Sequence, residues 1–192
     1  MKLLEGKTAI VTGASRGIGK GIATVFAQQG ANVAFTYSSS SGAAEAIEKE
    51  LSGLGVKVKA YKSNAADFEA AQQLATDVLN DFGQIDILVN NAGLAVGRGP
   101  LDKGLSEDWN RMLDTNIKGL LYMSHAVIPL LKKHPFSHLI NISSIAGKEV
   151  YAGGNVYCAS KHAVDALSKA LRIDLLLHQI KVSNIAPGAA ET

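Results

Sequence analysis

The chain has one cysteine, Cys158. A single thiol cannot build a disulfide framework or a cysteine-rich metal site. Charge of one sign is equally scarce: 19 Lys+Arg against 17 Asp+Glu leave a net charge of +2. Nucleic-acid binders draw affinity from a clustered basic surface, so no nucleic-acid partner is expected. Long apolar runs are missing too. The longest uncharged run, Gly21–Ala44, contains Gln28, Gln29, Asn32 and four consecutive serines. That excludes a membrane span there, and no membrane partner is expected. No basic, apolar and small-residue leader opens the chain, so the expected location is cytoplasmic. His134 and His138 are four apart, but Pro135 interrupts any helix that would align them, and no metal is expected. What is present is a globular composition, 47% hydrophobic and 19% charged, in 192 residues. That length fits one domain, spanning 1–192.

Short apolar runs alternate with longer amphipathic stretches. Strands are expected at Lys7–Thr12, Asn32–Tyr37, Val56–Tyr61, Ile85–Asn90, Ser137–Ile142 and Lys181–Ile185. Helices are expected at Gly17–Gln29, Ala43–Leu54, Asp67–Phe82, Glu107–Leu131 (one long or two consecutive) and Tyr157–Leu177. The serine run at 38–41 reads as a loop. Strict alternation of strand and helix argues for an α/β fold, a doubly wound parallel sheet of the Rossmann type with six strands.

The first strand runs into Thr12-Gly13-Ala14-Ser15-Arg16-Gly17-Ile18-Gly19. Glycines in such a turn allow a tight bend, close backbone approach to phosphate and close helix–strand packing. The helix N-terminus beyond it offers free N–H groups to a pyrophosphate. The glycine spacing is four then two, which is not the standard dinucleotide fingerprint. NAD-binding chains place an acid at the end of the second strand; here that strand ends Thr36-Tyr37-Ser38-Ser39. A hydroxyl-rich pocket beside Arg16 suits a 2′-phosphate, so the expected cofactor is NADP, with NAD less favoured.

Tyr157 and Lys161 are four apart on an expected helix and share a face. A phenol is a poor acid–base near neutrality, and a neighbouring ammonium favours its ionised form. Ser144 lies 13 residues before Tyr157, Asn90-Asn91-Ala92-Gly93 closes the fourth strand, Asn116 sits in the long helical region, and Pro187-Gly188 follows the sixth strand. Together these residues resemble the short-chain dehydrogenase/reductase family along the whole chain. The resemblance implies that Tyr157 is the general acid toward a carbonyl oxygen. Lys161 would tune it and bind the nicotinamide ribose, Ser144 would hold the substrate oxygen, and Asn116 would position a relay water. It further implies cofactor contacts from Gly13, Ser15, Arg16, Gly17, Ile18 and Gly19, and from Asn91, Ala92 and Gly93. Asn64 and Ala65 would meet the adenine, Ser38 the 2′-phosphate, and Pro187, Gly188, Ala190 and Thr192 the nicotinamide.

Other residues read more plainly. Ser143 is a structural hydroxyl, Cys158 a small buried residue, Trp109 and Met112 packing residues, and Glu45, Glu48, Lys49 and Glu50 a solvated face. Residues 1–93 look most like 3-oxoacyl-acyl-carrier-protein reductases. Residues 94–192, including Tyr151-Ala152-Gly153-Gly154-Asn155-Val156-Tyr157, look more like the 3-hydroxy acid or serine dehydrogenase branch. A mosaic of the two is one explanation. The substrate expected is a small hydroxy acid or an acyl thioester. Lys132, Lys133 and Arg172 are either a docking surface for an acidic acyl carrier protein or ordinary solubilising charge. Family members commonly assemble through their long helices, implying a homo-oligomer, tetramer or dimer. They usually continue beyond the segment resembling Pro187–Thr192 with a lid, a helix and a last strand. Without these, an inactive cofactor-binding or assembly module is the alternative expectation.

Overall fold

The computed structural model describes residues 2–190. The strands are β1 (Thr8–Val11), β2 (Asn32–Tyr37), β3 (Val58–Lys62), β4 (Ile87–Asn90), β5 (His138–Ile142) and β6 (Lys181–Ile185). They form one sheet in the order β3-β2-β1-β4-β5-β6, all parallel. The helices are α1 (Gly17–Gln28), α2 (Ser41–Ser52), α3 (Phe68–Phe82), α4 (Ser106–Leu113), α5 (Gly119–Leu131) and α6 (Asn155–Asp174). Successive crossovers move outward from β1 to β3, then return to place β4 on the other side of β1. The crevice between β1 and β4 is therefore the switch point where such sheets bind ligands.

Both faces of the sheet are covered, which explains the continuous apolar strands. On one face Ile10, Ala34, Leu88 and Leu139 meet Leu74 and Val78 of α3 and Met123, Val127 and Leu131 of α5. On the other Val11, Val33, Phe35 and Val89 meet Ala23 and Ala27 of α1 and Ile47 and Leu51 of α2. Each large side chain so buried contributes about 1.5–3 kcal/mol. The two outer strands would otherwise present unpaired backbone. Glu48 of α2 accepts from the outward Ala60 N–H of β3 at 2.7 Å. Arg172 of α6 donates to the outward Val182 carbonyl of β6 at 3.2 and 3.3 Å. Neither is a simply solvated charge: each occupies a sheet edge.

Most departures from the expected elements are end effects. β1, β3 and β4 are shorter or shifted by one or two residues. Residue 57 stays outside β3 because its N–H donates to the Asn32 side chain. The serine run is not wholly a loop, since Ser41 opens α2. The expected helix at 107–131 is continuous but changes winding, with a π turn at Asp114–Lys118 joining α4 to α5. Helix α6 begins two residues before Tyr157 and ends at Asp174, followed by a 3-10 turn at Leu176–His178. Among the described residues no helix is long and apolar enough to cross a membrane, and no cluster of His, Cys, Asp or Glu is built to hold a metal.

Candidate active site

The turn after β1 is held by the side chains of Thr12, Thr36 and Asn91. Thr36 Oγ1 accepts from Gly13 N–H at 2.9 Å. Thr12 Oγ1 accepts from Asn91 N–H at 3.0 Å and Ala92 N–H at 2.9 Å. The Asn91 amide donates to the carbonyls of Thr12 (2.8 Å) and Gly13 (3.0 Å). Asn91 therefore shapes the turn from across the crevice. Gly13 takes φ +64°, where a side chain would be strained. A Cβ on Gly19 would stand 2.5 Å from Gly13 O and would also strike the Asn91 amide. Helix α1 has neither a side-chain cap nor an acid in its first turn. Its N-terminal N–H groups are thus left to an anion.

Two cavities flank this turn. One, about 300 Å³, is lined by Gly13, Arg16, Gly17, Ile18, Gly19, Asn91, Gly93, Ile142, Ser143, Tyr157 and Lys161. The other, about 310 Å³, is lined by Ser15, Arg16, Thr36, Tyr37, Ser38, Asn64, Ala65, Ala92 and Thr115. They share Gly13, Arg16, Asn91, Gly93 and Leu94, so they form one long cleft across the switch point. No carboxylate lines the second cavity, and Arg16 stands exposed between the two. An elongated, acid-free cleft with a bare helix N-terminus fits a phosphorylated dinucleotide.

At the far end of the cleft α6 presents Tyr157 and Lys161. Lys161 is buried, and its ammonium sits 5.9 Å from the Tyr157 ring centroid while donating to Ile142 O at 2.9 Å. Burial pushes its pKa down to about 8, so it stays cationic at pH 7. Asn116 lies in the π turn with both ends of its amide engaged. Its Oδ1 accepts from Leu94 N–H at 2.8 Å; its Nδ2 donates to Leu94 O at 2.9 Å and Ser160 Oγ at 3.0 Å. Ser160 in turn donates to Tyr157 O at 2.7 Å. This chain ties the loop after β4, the π turn and α6 into one unit. Ser160, and the bonds made by Thr12 and Thr36, are not legible in the sequence, because single hydroxyls carry no motif until the elements meet.

Ser143 and Ser144 do not divide as simply as the 13-residue spacing suggests: Ser143, not Ser144, is among the residues that line the cleft. Ser143 donates to Lys161 O at 3.2 Å, a structural role, yet it also lines the cleft. Ser144 is partly exposed at the end of β5, and its Oγ accepts from Ala146 N–H at 3.1 Å. Pro187 borders an apolar slot with Ile18, Ile142 and Ile185, adjoining the cleft through Ile18 and Ile142. Gly188 and Ala190 are exposed beyond it. Thr192 lies outside the described residues. Cys158 is buried, as its small size suggests. Met112 does more than pack. It lines a third cavity, about 290 Å³, with Ala95, Val96, Gly97, Arg98, Tyr151, Gly153, Gly154, Asn155 and Tyr157.

Comparison with known proteins agrees with this geometry. Residues 7–192 match the family model described as short chain dehydrogenase. The chain is 40% identical over 179 residues to the NADP-dependent 3-hydroxy acid dehydrogenase YdfG of Shigella flexneri, covering 93% of this chain and 71% of that one. It is 36% identical over 182 residues to the 3-oxoacyl-[acyl-carrier-protein] reductase FabG of Staphylococcus epidermidis, covering 95% and 74%. A short chain dehydrogenase from Burkholderia cenocepacia, solved in complex with NADP, superposes with a TM-score of 0.94 at 35% identity, covering 98% and 76%. Fold, switch-point cleft and sequence kinship converge, and the chain belongs to the short-chain dehydrogenase family.

Proposed function

We propose that the protein is an NADP-dependent oxidoreductase acting on a 3-oxo or 3-hydroxy carbon of a small hydroxy acid or an acyl thioester. The observation that carries this reading is Tyr157, which lines both the dinucleotide cleft and the Met112 cavity beside it. A proton held on its hydroxyl is therefore available where cofactor and substrate would meet. When bound, the nicotinamide supplies or accepts the hydride. Gly13, Gly17, Ile18 and Gly19 would hold the pyrophosphate. Arg16 and Ser38 would hold the 2′-phosphate, Asn64 and Ala65 would border the adenine, and Ala92, Gly93 and Lys161 would border the nicotinamide ribose.

The remaining roles belong to the chain's own side chains. Tyr157 donates its proton to the substrate oxygen in reduction and removes it in oxidation. Lys161, cationic and pinned to Ile142 O, steadies the phenolate left behind. Ser144 accepts from Ala146 N–H, which leaves its hydroxyl proton free to donate to the substrate oxygen. Asn116 acts as a positioning residue. Its amide is committed to Leu94 and Ser160, so any relay water would be held by another atom. Exposed Leu121 and Ile173, on α5 and α6, support assembly as a homo-oligomer through those helices; sedimentation as a stable monomer would remove that part.

Thermal unfolding with NADPH and with NADH in parallel tests the proposal. A ligand at a hundred times its Kd stabilises the native state by about 2.7 kcal/mol. The expected result is a clear rise in Tm with NADPH and a smaller one with NADH. No rise with either would overturn the reading, and equal rises would overturn the cofactor preference.

A further inference from the structure

The Met112 cavity carries a charge that the reaction itself does not need. Arg98 lines it together with Tyr157. The Arg98 guanidinium lies over the Tyr151 ring, 5.5 Å from its centroid. Its position is built rather than incidental. The next residue, Gly99, donates its N–H to Gly153 O at 3.1 Å, and Gly99 O accepts from Asn155 Nδ2 at 2.9 Å. These two bonds staple the loop after β4 to the loop entering α6, on either side of the cavity. A Cβ on Gly153 would come within 3.5 Å of the Arg98 stem. Among the described residues, no carboxylate forms an ion pair with Arg98. Asp108, which lies against Gly97, pairs with Arg111 instead, at 3.7 Å. The rest of the wall is apolar or neutral: Ala95, Val96, Met112, Tyr151 and Asn155.

A guanidinium held over an aromatic ring retains N–H donors for a bidentate anion. We infer that Arg98 is a specificity residue that holds the carboxylate of the substrate while Tyr157 addresses the carbonyl or hydroxyl carbon. The inference rests on the oxidoreductase reading above and selects within it: the substrate is a small free acid, not a thioester. The cavity volume of about 290 Å³ supports that choice. A short acid fits with both ends inside. The phosphate of a pantetheine arm, the other anion that Arg98 would attract, stands a full arm's length from the thioester, outside a space of that size.

The test compares three probes with the full chain and NADP+ or NADPH: 3-hydroxybutanoate, its methyl ester, and 3-oxobutanoyl coenzyme A. Variants are Arg98→Met and Arg98→Lys. With Arg98→Met, KM for the free acid should rise on the order of 10-fold or more, with a lesser change in kcat. KM for the ester should hardly move. Arg98→Lys should recover part of the loss, because it keeps the charge but not the fork. The NADPH-induced rise in Tm should be the same in all three proteins, since Arg98 lies outside the dinucleotide cleft. Equal effects on acid and ester, or none on either, would overturn the inference; so would an Arg98-dependent KM confined to the coenzyme A thioester. A binding measurement separates this inference from the reading it rests on. Calorimetric titration of 3-hydroxybutanoate into the NADP+ complex needs no turnover. Arg98-dependent binding without turnover would uphold the anchor and remove the redox reading. Binding of the acid no tighter than the ester would remove the anchor whatever the turnover.

Discussion

Two segments at the carboxyl ends of the central strands, the turn after β1 and the loop after β4, are built in opposite ways. The turn at 12–19 is short, and its first half is pinned while the helix N-terminus beyond it stays uncapped: Gly13 and Ala14 bond to Thr36, and Asn91 bonds back to Thr12 and Gly13. The loop at 91–105 is long and open. Val96 is only partly covered, Leu101 and Leu105 are exposed, and the loop is held at its ends and middle by bonds to Asn116, Gly153 and Asn155. The difference teaches how each half of a binding site is encoded. Recognition by backbone N–H groups needs small residues at fixed spacing, a local property. Recognition by side chains on an open loop depends on which other loop it meets. On the proposed reading, the cofactor side is encoded locally, and the substrate side by which loops meet.

The largest expected effect lies where the two segments meet. Tyr157→Phe should reduce turnover by roughly 10²–10⁴-fold, the usual worth of a positioned general acid. The NADPH-induced shift in Tm should persist. Single-turnover assays beside thermal shift check both, and surviving activity would remove Tyr157 from the acid role.

The next prediction sets the segments directly against each other. Gly19→Ala should cost about 1–3 kcal/mol by overpacking against Gly13 O and Asn91, and should weaken NADPH binding. Gly99→Ala has nothing within 4 Å of the added Cβ and should stay within about 0.5 kcal/mol of the parent. Urea unfolding of both variants reads the contrast; equal costs would show that the turn is no tighter than the loop.

A smaller effect is expected at Arg16. Arg16→Ala should weaken NADPH roughly 10-fold, the loss of one exposed charge-assisted contact, and leave NADH nearly unchanged. Fluorescence titration of both nucleotides gives the ratio. An equal loss for both would place Arg16 on the pyrophosphate alone.

The remaining effect is a pH dependence. Lys161 has an unfolded pKa of 10.5 and a folded one pushed down to about 8 by burial. Below pH 8 it is charged in both states, and the folded state carries the full desolvation penalty. Between about pH 8 and 10.5 the unfolded chain binds more protons than the native one, so this residue makes stability rise with pH in that window. Lys161→Met should be more stable than the parent at pH 7 on this account and should lack the rise. Melting curves at pH 7, 8.5 and 10 for both proteins check the sign; parallel curves would show that Lys161 is not desolvated.

The same contrast explains how much of the molecule was legible beforehand. β2 and β6 fall at the expected residues, because an apolar run bounded by turn formers states its own limits. The α4–α5 region was legible as helix, but its π turn was not. Winding there answers to Asn116 bridging Leu94 and Ser160, two residues remote in sequence. Ser41 reads as loop in the sequence because serine favours caps and turns, yet α2 packs Ala44, Ile47 and Leu51 on the sheet, and that burial extends the helix back over it. Glu48 and Arg172 read as exposed charge in the sequence, solvated or docking, because nothing local shows that a sheet edge lies beneath them.

By itself the sequence determined the alternation of strand and helix, the glycine turn after β1 and the Tyr157–Lys161 pair. Each rests on short spacings along one element, where geometry follows from periodicity. Only the tertiary structure decided what Asn91 and Asn116 hold, which serine faces the cleft, and that Arg98 and Met112 share a cavity with Tyr157. Those contacts join segments tens of residues apart, and their distances exist only once the sheet has brought the strand ends together.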